Sequence, residues 1–310
     1  MMNSNPAIIV LCGAVSPERE VSLRSGAACA DALRSIHESV ELHILDENVL
    51  PGFLDPKRHV VFPVIHGDYG EDGGIQADLE RGNFAYAGCD SASSRLCIDK
   101  ILTKQLFRAK GIPVLQDVFF QGGRKPTAID LISALGTDDV VIKPADKGSS
   151  VGLHLVNGAE AMMSALAEVG PGNWMAEPRV QGREMTIGVL DGEPLGIVEI
   201  VPKVGTYDYA NKYTAGATEY RFPASVPQDA AGQISRYARE AFFACGCRDY
   251  ARLDFIYPDD GQFVFLEINT MPGMTATSLL PKSASCKGLD FSALVRQMIS
   301  PALQRFSSRR

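Results

Sequence analysis

The sequence predicts a mixed α/β (α+β) protein made of several compact units, and three observations support this fold class. The chain has 310 residues, 45% of them hydrophobic, which is enough for two or three domains with their own cores. Near the N-terminus the apolar run Ala7 to Leu11 is followed by a turn and by apolar residues at helical spacing, an order typical of parallel α/β units. Further along, two strand-like runs flank Pro258-Asp259-Asp260-Gly261, which predicts a β-hairpin.

Charge and hydropathy exclude several classes of protein. The formal net charge is −7, and Lys and Arg form no long basic block, so we expect no nucleic-acid partner. No apolar run approaches the roughly 20 residues needed to span a bilayer, and the N-terminus lacks the basic region of a signal peptide. The seven cysteines are expected to be reduced and mostly buried. These features predict a cytoplasmic protein that does not enter a membrane.

The hairpin is predicted to have one apolar face and one charged face, because alternate residues of a strand point the same way. Its strands are predicted at Tyr250 to Tyr257 and Gln262 to Ile268. The core face would hold Leu253, Phe255, Leu266 and Ile268, and the charged face Arg252, Asp254, Glu267 and Asn269. Carboxylate and amide oxygens are the ligands that Mg²⁺ prefers, and Arg252 adds a positive charge for an anion. Taken alone, the pattern also fits the solvated outer face of an edge hairpin.

The N-terminal half contains two turns that could carry a site. Ser16-Pro17 fits an N-cap followed by Pro at the first helical position, which would place Glu18 in the first turn of the helix. The strand Val60 to Ile65 leads into a glycine-rich loop that begins with His66. The glycine fingerprint G-x-G-x-x-G is missing after the first strand, which argues against a nicotinamide-dependent dehydrogenase.

The middle of the chain is predicted to bind phosphate. A long helix is expected from Ser91 to a stop at Gly111, with domain boundaries near residues 95 and 181. Further strands are expected at 112–119, 140–143, 151–156, 173–178 and 185–190, and helices at 227–244 and 290–306. The small residues between Lys143 and Gly152 allow backbone N–H groups to close over a phosphate, although the Walker spacing is absent. The long segment 202–221 has the length of a functional loop and carries Lys212 and Tyr213.

Four motifs together resemble the D-alanine-D-alanine ligases of the ATP-grasp superfamily, and the similarity covers essentially the whole chain. They are SPEREVSLRSG, HGDYGEDG, VIKPADKGSSVG and the pair ARLDF and FLEINTMPGMT. The resemblance implies a three-domain ATP-grasp fold whose two α+β domains sandwich ATP. Residues 1–95 would form an N-terminal parallel α/β substrate domain, 96–181 the central ATP-grasp subdomain and 182–310 the C-terminal ATP-grasp and metal-binding domain.

The resemblance also implies a role for individual residues. The implied catalytic residues are Glu18, Ser149, Tyr213, Arg252, Gly273 and Ser278. The implied substrate-binding residues are Glu18, His66, Arg252, Gly273, Ser278 and Leu279. The implied ATP-binding residues are Lys100, Lys143, Ser149, Ser150, Glu177, Val180, Glu184 and Lys212. The implied metal ligands, which agree with the hairpin pattern, are Asp254, Glu267 and Asn269.

The implied activity is the ATP-driven joining of two D-alanines through D-alanyl phosphate, for peptidoglycan synthesis. ATP and two Mg²⁺ (or Mn²⁺) ions would be required, and the family likeness implies a homodimer formed through the N-terminal domain. Two alternatives stay open: a ligase that joins D-alanine to D-lactate or D-serine, against which Tyr213 argues, and an inactive nucleotide-binding regulator. The sequence departs from the family at Pro178-Arg179, where Lys and an apolar residue are usual, and at Met271, where many members have a small residue.

Overall fold

Three β-sheets form the framework of the protein in the part of the chain that the structure describes. The structure is a computed structural model that describes residues 6–148, 151–203, 216–275 and 277–309. The strands are β1 (Ala7–Gly13), β2 (Val40–Leu45), β3 (His59–Val64), β4 (Ala85–Tyr86), β5 (Val118–Gln121), β6 (Asp139–Pro144), β7 (His154–Asn157), β8 (Asn173–Pro178), β9 (Arg183–Leu190), β10 (Glu193–Pro202), β11 (Thr218–Arg221), β12 (Tyr250–Tyr257) and β13 (Val264–Asn269).

Helices cover these sheets and connect their strands. They are α1 (Arg19–Arg34), α2 (Gly74–Arg81), α3 (Ser91–Ile98), α4 (Lys100–Ala109), α5 (Ala128–Leu135), α6 (Ala159–Glu168), α7 (Gln228–Ala244), α8 (Leu279–Ser285) and α9 (Phe291–Ser307). Among the helices of the described ranges, none is both long enough and apolar enough to cross a membrane.

The first sheet is parallel and the other two are antiparallel, as the predicted mixed class requires. The strand orders are β2-β1-β3-β4, β5-β8-β6-β7 and β11-β10-β9-β12-β13. The middle of β1, from Ile8 to Cys12, is completely buried, because the strand has neighbours on both sides and helices cover it. The domain boundaries near 95 and 181 stay predictions.

The C-terminal helix α9 returns to the first sheet. Its apolar face packs with residues of α1, β1 and β3 in one core cluster. Arg305 of α9 donates two hydrogen bonds to the buried carboxylate of Asp249, at 2.6 and 2.8 Å, and a third to the carbonyl oxygen of Tyr86. Asp249 also accepts a hydrogen bond from the Gly88 backbone N–H. Helix α9 therefore packs on the first sheet, and the buried Asp249 carboxylate links it to the segment that follows β4.

The long helix predicted from Ser91 to Gly111 is two helices, so that prediction was wrong. The chain breaks at Asp99, which adopts an extended conformation with φ −81° and ψ 99°. Its carboxylate accepts hydrogen bonds from the N–H groups of Ile101 and Leu102 and so caps the start of α4. Aspartate favours such caps over a helix interior because its short side chain competes for backbone N–H groups. The break places Lys100 at the first position of α4.

Other predicted boundaries shift by a few residues. Helix α1 begins at Arg19, so Pro17 and Glu18 precede it and do not lie in its first turn. The reason is a local turn in which the Ser16 hydroxyl accepts the Glu18 N–H. The strand predicted at 112–119 begins only at Val118, and the strand predicted at 151–156 begins only at residue 154. The span 173–178 is confirmed, and 227–244 and 290–306 are confirmed to within one residue.

The predicted hairpin is confirmed, with one difference. Its turn is closed by a hydrogen bond from Gly261 N–H to the Pro258 carbonyl oxygen, and Gly261 has the positive φ of +79° that favours glycine. A β-bulge interrupts the pairing: Asp254 lies opposite Glu267, but Phe255 lies opposite Phe265. The extra residue is Leu266, which is half-buried and lines a cavity. The prediction of Leu266 in the core was wrong, and Phe265 occupies that place.

Helix α1 approaches β1 so closely that only glycine fits at position 26. A Cβ atom at Gly26 would lie 2.4 Å from Cys12 Cβ. We expect Gly26→Ala to lower the free energy of unfolding by about 1 to 3 kcal/mol, the usual cost of overpacking. The matched control is Gly232→Ala in α7, where an added Cβ meets nothing within 4 Å. That control should stabilise the protein by about 0.5 to 1 kcal/mol through helix propensity. Urea unfolding of both variants checks this, and equal effects at the two sites would contradict it.

Candidate active site

Two cavities meet beside the hairpin, and three residues line both of them. The first cavity is lined by all six residues predicted to bind substrate, namely Glu18, His66, Arg252, Gly273, Ser278 and Leu279. The second is lined by the described residues predicted to bind ATP, namely Lys100, Lys143, Glu177, Val180 and Glu184. The residues common to both cavities are Lys100, Gly148 and Glu267. The structure thus brings the described predicted residues together; Ser149, Ser150, Lys212 and Tyr213 lie outside the described residues.

Lys100 occupies the junction of the two cavities. It is only 6% exposed, and its Nζ donates to the Lys147 carbonyl oxygen at 2.7 Å. The same Nζ lies 3.3 Å from Glu267 Oε2. Its backbone N–H donates to the carbonyl oxygen of Ala145, so helix α4 begins against the loop that follows β6. The junction therefore carries a nearly buried positive charge held by two elements that are far apart in sequence.

The predicted metal ligands lie on one face of the hairpin. Asp254 is directly opposite Glu267, and Asn269 is opposite Arg252. Arg252 donates two hydrogen bonds to the Asp254 carboxylate, at 2.9 and 2.7 Å, and Thr186 Oγ1 lies 2.6 Å from Asp254 Oδ1. Asp254 lines the second cavity, Asn269 the first, and Glu267 both. The carboxylate of Asp254 is therefore already oriented by its neighbours.

This donor set fits Mg²⁺ chemistry. It consists of two carboxylates and one amide, and the amide oxygen of Asn269 also accepts the Met271 N–H. Mg²⁺ usually takes one or two protein carboxylates and completes its shell with water and substrate phosphates, so two carboxylates and one amide suit it.

Acidic and imidazole groups are buried together in the first cavity. His66 is 3% exposed, and its Nδ1 lies 3.5 Å from Glu71 Oε1. Burial raises the pKa of the Glu71 carboxyl, contacts with His66 offset part of that rise, and the negative charge of Glu18 adds to it. The Ser16 hydroxyl donates to the His66 carbonyl oxygen at 2.7 Å and so ties this loop to the start of α1. Two carboxyl groups, those of Glu18 and Glu71, therefore lie with His66 in the wall of the first cavity.

The turn after the hairpin closes the other side of the first cavity. Ser278 Oγ accepts a hydrogen bond from the Thr275 N–H at 2.9 Å. A Cβ atom at Gly273 would lie 2.9 Å from the same Oγ, so a larger residue at this position would displace the Ser278 hydroxyl. The backbone N–H of Gly273 and the hydroxyl of Ser278 consequently lie on the same wall of the cavity.

A buried ion-pair network supports the second cavity, and sequence reasoning missed its centre. Lys104 is 1% exposed, and its Nζ lies 2.5 Å from Glu177 Oε2 and 3.0 Å from Asp117 Oδ2. Lys143 Nζ lies 2.5 Å from the other oxygen of Glu177, and Arg108 pairs with Asp117. The sequence did contain a signal for the burial of Lys104, because this residue shares a face of α4 with Lys100 and Phe107.

The network fixes the charge state of Glu177. Burial alone would raise the pKa of this carboxyl, but the ammonium groups of Lys143 and Lys104 outweigh burial and lower the pKa to about 2. Both oxygens of Glu177 are engaged by lysines in the described structure. Glu177 therefore holds Lys143 at the wall of the cavity, and its role at the adenine or ribose stays a prediction.

Comparison with known proteins decides the family. The family profile described as "D-ala D-ala ligase C-terminus" matches residues 106–300. A D-alanine--D-alanine ligase from Anaeromyxobacter dehalogenans (strain 2CP-C) is 41% identical over 303 residues, which is 95% of this chain and 96% of the relative. The chain belongs to the D-alanine-D-alanine ligase family. Another family member, from Aquifex aeolicus, is 39% identical over 303 residues, covering 94% of this chain and 99% of the relative.

Solved structures of the family have the same fold. A D-alanine--D-alanine ligase from Bacillus anthracis, complexed with ATP, superposes with a TM-score of 0.83 at 26% identity, over 98% of this chain and 100% of that one. A D-Ala:D-Ser ligase from Enterococcus faecalis superposes with a TM-score of 0.82 at 27% identity, over 96% of this chain and 100% of that one. The family resemblance and the predicted ATP-grasp fold are thus confirmed.

Removing the centre of the buried network should destabilise the folded protein. We expect Lys104→Met to lower the free energy of unfolding by about 3 to 5 kcal/mol, because it leaves two buried carboxylates without their shared cation. The control is Lys110→Met, because Lys110 directly follows α4 and is exposed. This variant should change the free energy of unfolding by less than about 0.5 kcal/mol. Urea denaturation at neutral pH measures both. A small effect of Lys104→Met would show that the network contributes little.

The lowered pKa of Glu177 predicts a pH-dependent stability. A carboxyl with a depressed native pKa stabilises the fold fully above its ordinary pKa of 4.5, and this contribution is lost as the pH falls toward about 2. Glu177→Gln removes the contribution while keeping the size of the side chain. The stability difference between wild type and this variant should therefore be largest near pH 7 and shrink below about pH 4.5. Urea unfolding from pH 7 to pH 3.5 tests this, and a gap that does not change with pH would contradict it.

Proposed function

We propose that this chain is an ATP-dependent ligase that joins two D-alanines through D-alanyl phosphate to give D-alanyl-D-alanine for peptidoglycan synthesis. The observation that carries the proposal is the junction of the two cavities at Lys100 and Glu267. An acyl phosphate forms only where the carboxylate of one substrate reaches the terminal phosphate of ATP. The cavity lined by the residues proposed to bind amino acid shares Lys100 and Glu267 with the cavity lined by the residues proposed to bind ATP, which supports this requirement.

The first step joins two anions and therefore needs positive charge. A carboxylate oxygen of the first D-alanine attacks the γ-phosphorus of ATP, the new O–P bond forms, and the bond to ADP breaks. In our proposal Glu18 binds the ammonium group of this D-alanine, and His66 lies near the same substrate. Lys100 and Lys143, which line the nucleotide cavity, reduce the repulsion between the carboxylate and the phosphates.

The second step forms the amide. The amine of the second D-alanine attacks the carbonyl carbon of D-alanyl phosphate, the C–N bond forms, phosphate leaves, and the amine loses a proton. Arg252 and the Gly273 N–H are proposed to stabilise the oxyanion that develops on the carbonyl oxygen. The hydroxyl of Ser278 and the N–H of Leu279 would bind the carboxylate of the second D-alanine.

Two Mg²⁺ (or Mn²⁺) ions are proposed to complete the nucleotide site, with Asp254, Glu267 and Asn269 as protein ligands. When bound, these ions would neutralise charge on the β- and γ-phosphates. The hydrogen bonds from Arg252 to both oxygens of Asp254 hold this carboxylate in place. The family resemblance further assigns Ser149, Ser150 and Lys212 to the triphosphate and Tyr213 to a hydrogen-bond network with Glu18 and Ser149.

The second substrate needs a separate test, because the fold does not distinguish the acceptors. A D-Ala:D-Ser ligase superposes on this chain about as well as a D-alanine--D-alanine ligase does, with TM-scores of 0.82 and 0.83. Tyr213 favours D-alanine by the family resemblance. Mass spectrometry of the products formed from mixed D-alanine, D-serine and D-lactate identifies the acceptor.

The assembly and location of the enzyme are also proposals. We propose a homodimer formed through the N-terminal unit and a cytoplasmic location, both on the strength of the family resemblance. Light scattering of the purified protein tests the dimer.

Phosphate release from ATP and Mg²⁺, with and without D-alanine, tests the proposed function. We expect release to require D-alanine and to fall by about 100-fold or more in Glu267→Ala, which removes a ligand at the junction of the cavities. The control is Glu240→Ala, an exposed carboxylate of α7 whose ion pair with Arg236 is worth less than about 1 kcal/mol. ATP turnover that does not respond to D-alanine would overturn the substrate assignment. ATP binding without any turnover would favour the inactive nucleotide-binding regulator.

A further inference from the structure

Ser25 connects the N-terminal unit to the turn that carries the proposed oxyanion donor. It lies in α1, is completely buried, and its Oγ accepts a hydrogen bond from the Met274 N–H at 3.1 Å. The same Oγ lies 3.3 Å from His66 Nε2. One hydroxyl group therefore contacts both a residue of the first cavity and the residue that follows Gly273.

One arrangement of protons satisfies all of these groups. In it, His66 Nδ1 donates to the Glu71 carboxylate, 3.5 Å away, and Nε2 is the acceptor. Ser25 then donates its hydroxyl proton to Nε2 and uses an oxygen lone pair to accept the Met274 N–H. The result is a buried chain from Met274 through Ser25 and His66 to Glu71.

Packing and hydrogen bonds to distant residues hold the turn in place, and the side chains of Met271 and Met274 are buried in two core clusters. Its described residues between the end of β13 at Asn269 and the start of α8 at Leu279 belong to neither a strand nor a helix. A second contact with the N-terminal unit holds its beginning, where the Ile65 N–H donates to Met271 Sδ at 3.2 Å. The two contacts join residues that are 206 and 249 positions apart in the sequence. Gly273 lies between Met271 and Met274, which make these contacts. Tertiary contacts thus determine where the Gly273 N–H lies.

We propose that Ser25 is a positioning residue that holds the Gly273 N–H at the site of the developing oxyanion in the second step. This inference rests on the proposed function, which makes Gly273 an oxyanion donor. A misplaced donor should slow attack by the amine while leaving formation of the acyl phosphate intact. The intermediate would then persist long enough to be hydrolysed by water. In that reaction water attacks the phosphorus, the bond between phosphorus and the acyl oxygen breaks, and phosphate and D-alanine are released without an oxyanion on the carbonyl oxygen.

The same helix contains a matched control. Ser22 is also completely buried, and its Oγ accepts the Gly13 N–H and donates to the Val64 carbonyl oxygen. Among the described residues, its hydrogen-bond partners Gly13 and Val64 belong to the first sheet and not to the turn between β13 and α8. Loss of the Ser22 hydroxyl therefore removes hydrogen bonds of the same kind from the same helix without affecting the position of Gly273.

The test compares wild type, Ser25→Ala and Ser22→Ala with ATP, Mg²⁺ and D-alanine. The measured quantities are kcat, the KM for ATP, the melting temperature and the ratio of phosphate released to dipeptide formed. For Ser25→Ala we expect kcat to fall about 10-fold or more, with the KM for ATP changed less than about 3-fold. The phosphate-to-dipeptide ratio should rise from about one to about two or more. For Ser22→Ala we expect a similar fall in melting temperature, with kcat within about 2-fold and the ratio unchanged.

The outcomes separate this inference from the proposed function. Wild type without D-alanine-dependent phosphate release would overturn the function itself. An active wild type in which Ser25→Ala behaves like Ser22→Ala would overturn the positioning role and leave the function intact. If Ser25→Ala does not fold, Ser25→Cys, which is close in size and a weaker acceptor, must show the same rise in the ratio for the inference to hold.

Discussion

The ion pair between Lys100 and Glu267 is the interaction on which the site depends, because both residues line both cavities. Lys100 begins a helix, Glu267 belongs to the hairpin, and the Lys147 carbonyl oxygen that Lys100 also contacts belongs to the loop after β6. A nearly buried ammonium is stable only when such partners are present. The junction therefore exists only when helix α4, the hairpin and the loop after β6 come together.

Charge is balanced in a similar way in the ion-pair network beside the second cavity. The carboxylate of Glu177 stays ionised despite its burial because Lys104 and Lys143 flank it, and Lys104 is balanced in turn by Asp117. Such networks contribute little net stability compared with apolar residues, but breaking one partner is costly. The network therefore acts mainly to fix the position of Lys143, whose ammonium group faces the phosphates in the proposed reaction.

The sequence predicted most of the fold and nearly all of the described candidate site, since hydrophobic periodicity and motif identity are local properties. It missed Lys104, because the burial of a lysine depends on Asp117 and Glu177, which are close to it only in the folded chain. It placed Leu266 in the core, because strict alternation cannot reveal a bulge that arises from the pairing of two strands. It joined α3 and α4 into one helix, because the apolar spacing continues through the cap at Asp99.

By itself, the sequence determined the mixed α/β class, the hairpin with its charged face, the family, and the residue types that the chemistry needs. These features follow from side-chain alternation, turn residues and short motifs, all of which act over a few positions. Only the tertiary structure decided which of these groups meet. The junction at Lys100, the buried network around Lys104 and the contacts of Ser25 and Met271 with residues far along the chain all depend on the packing of distant elements. Long-range contacts of this kind leave no periodic signal in a single sequence.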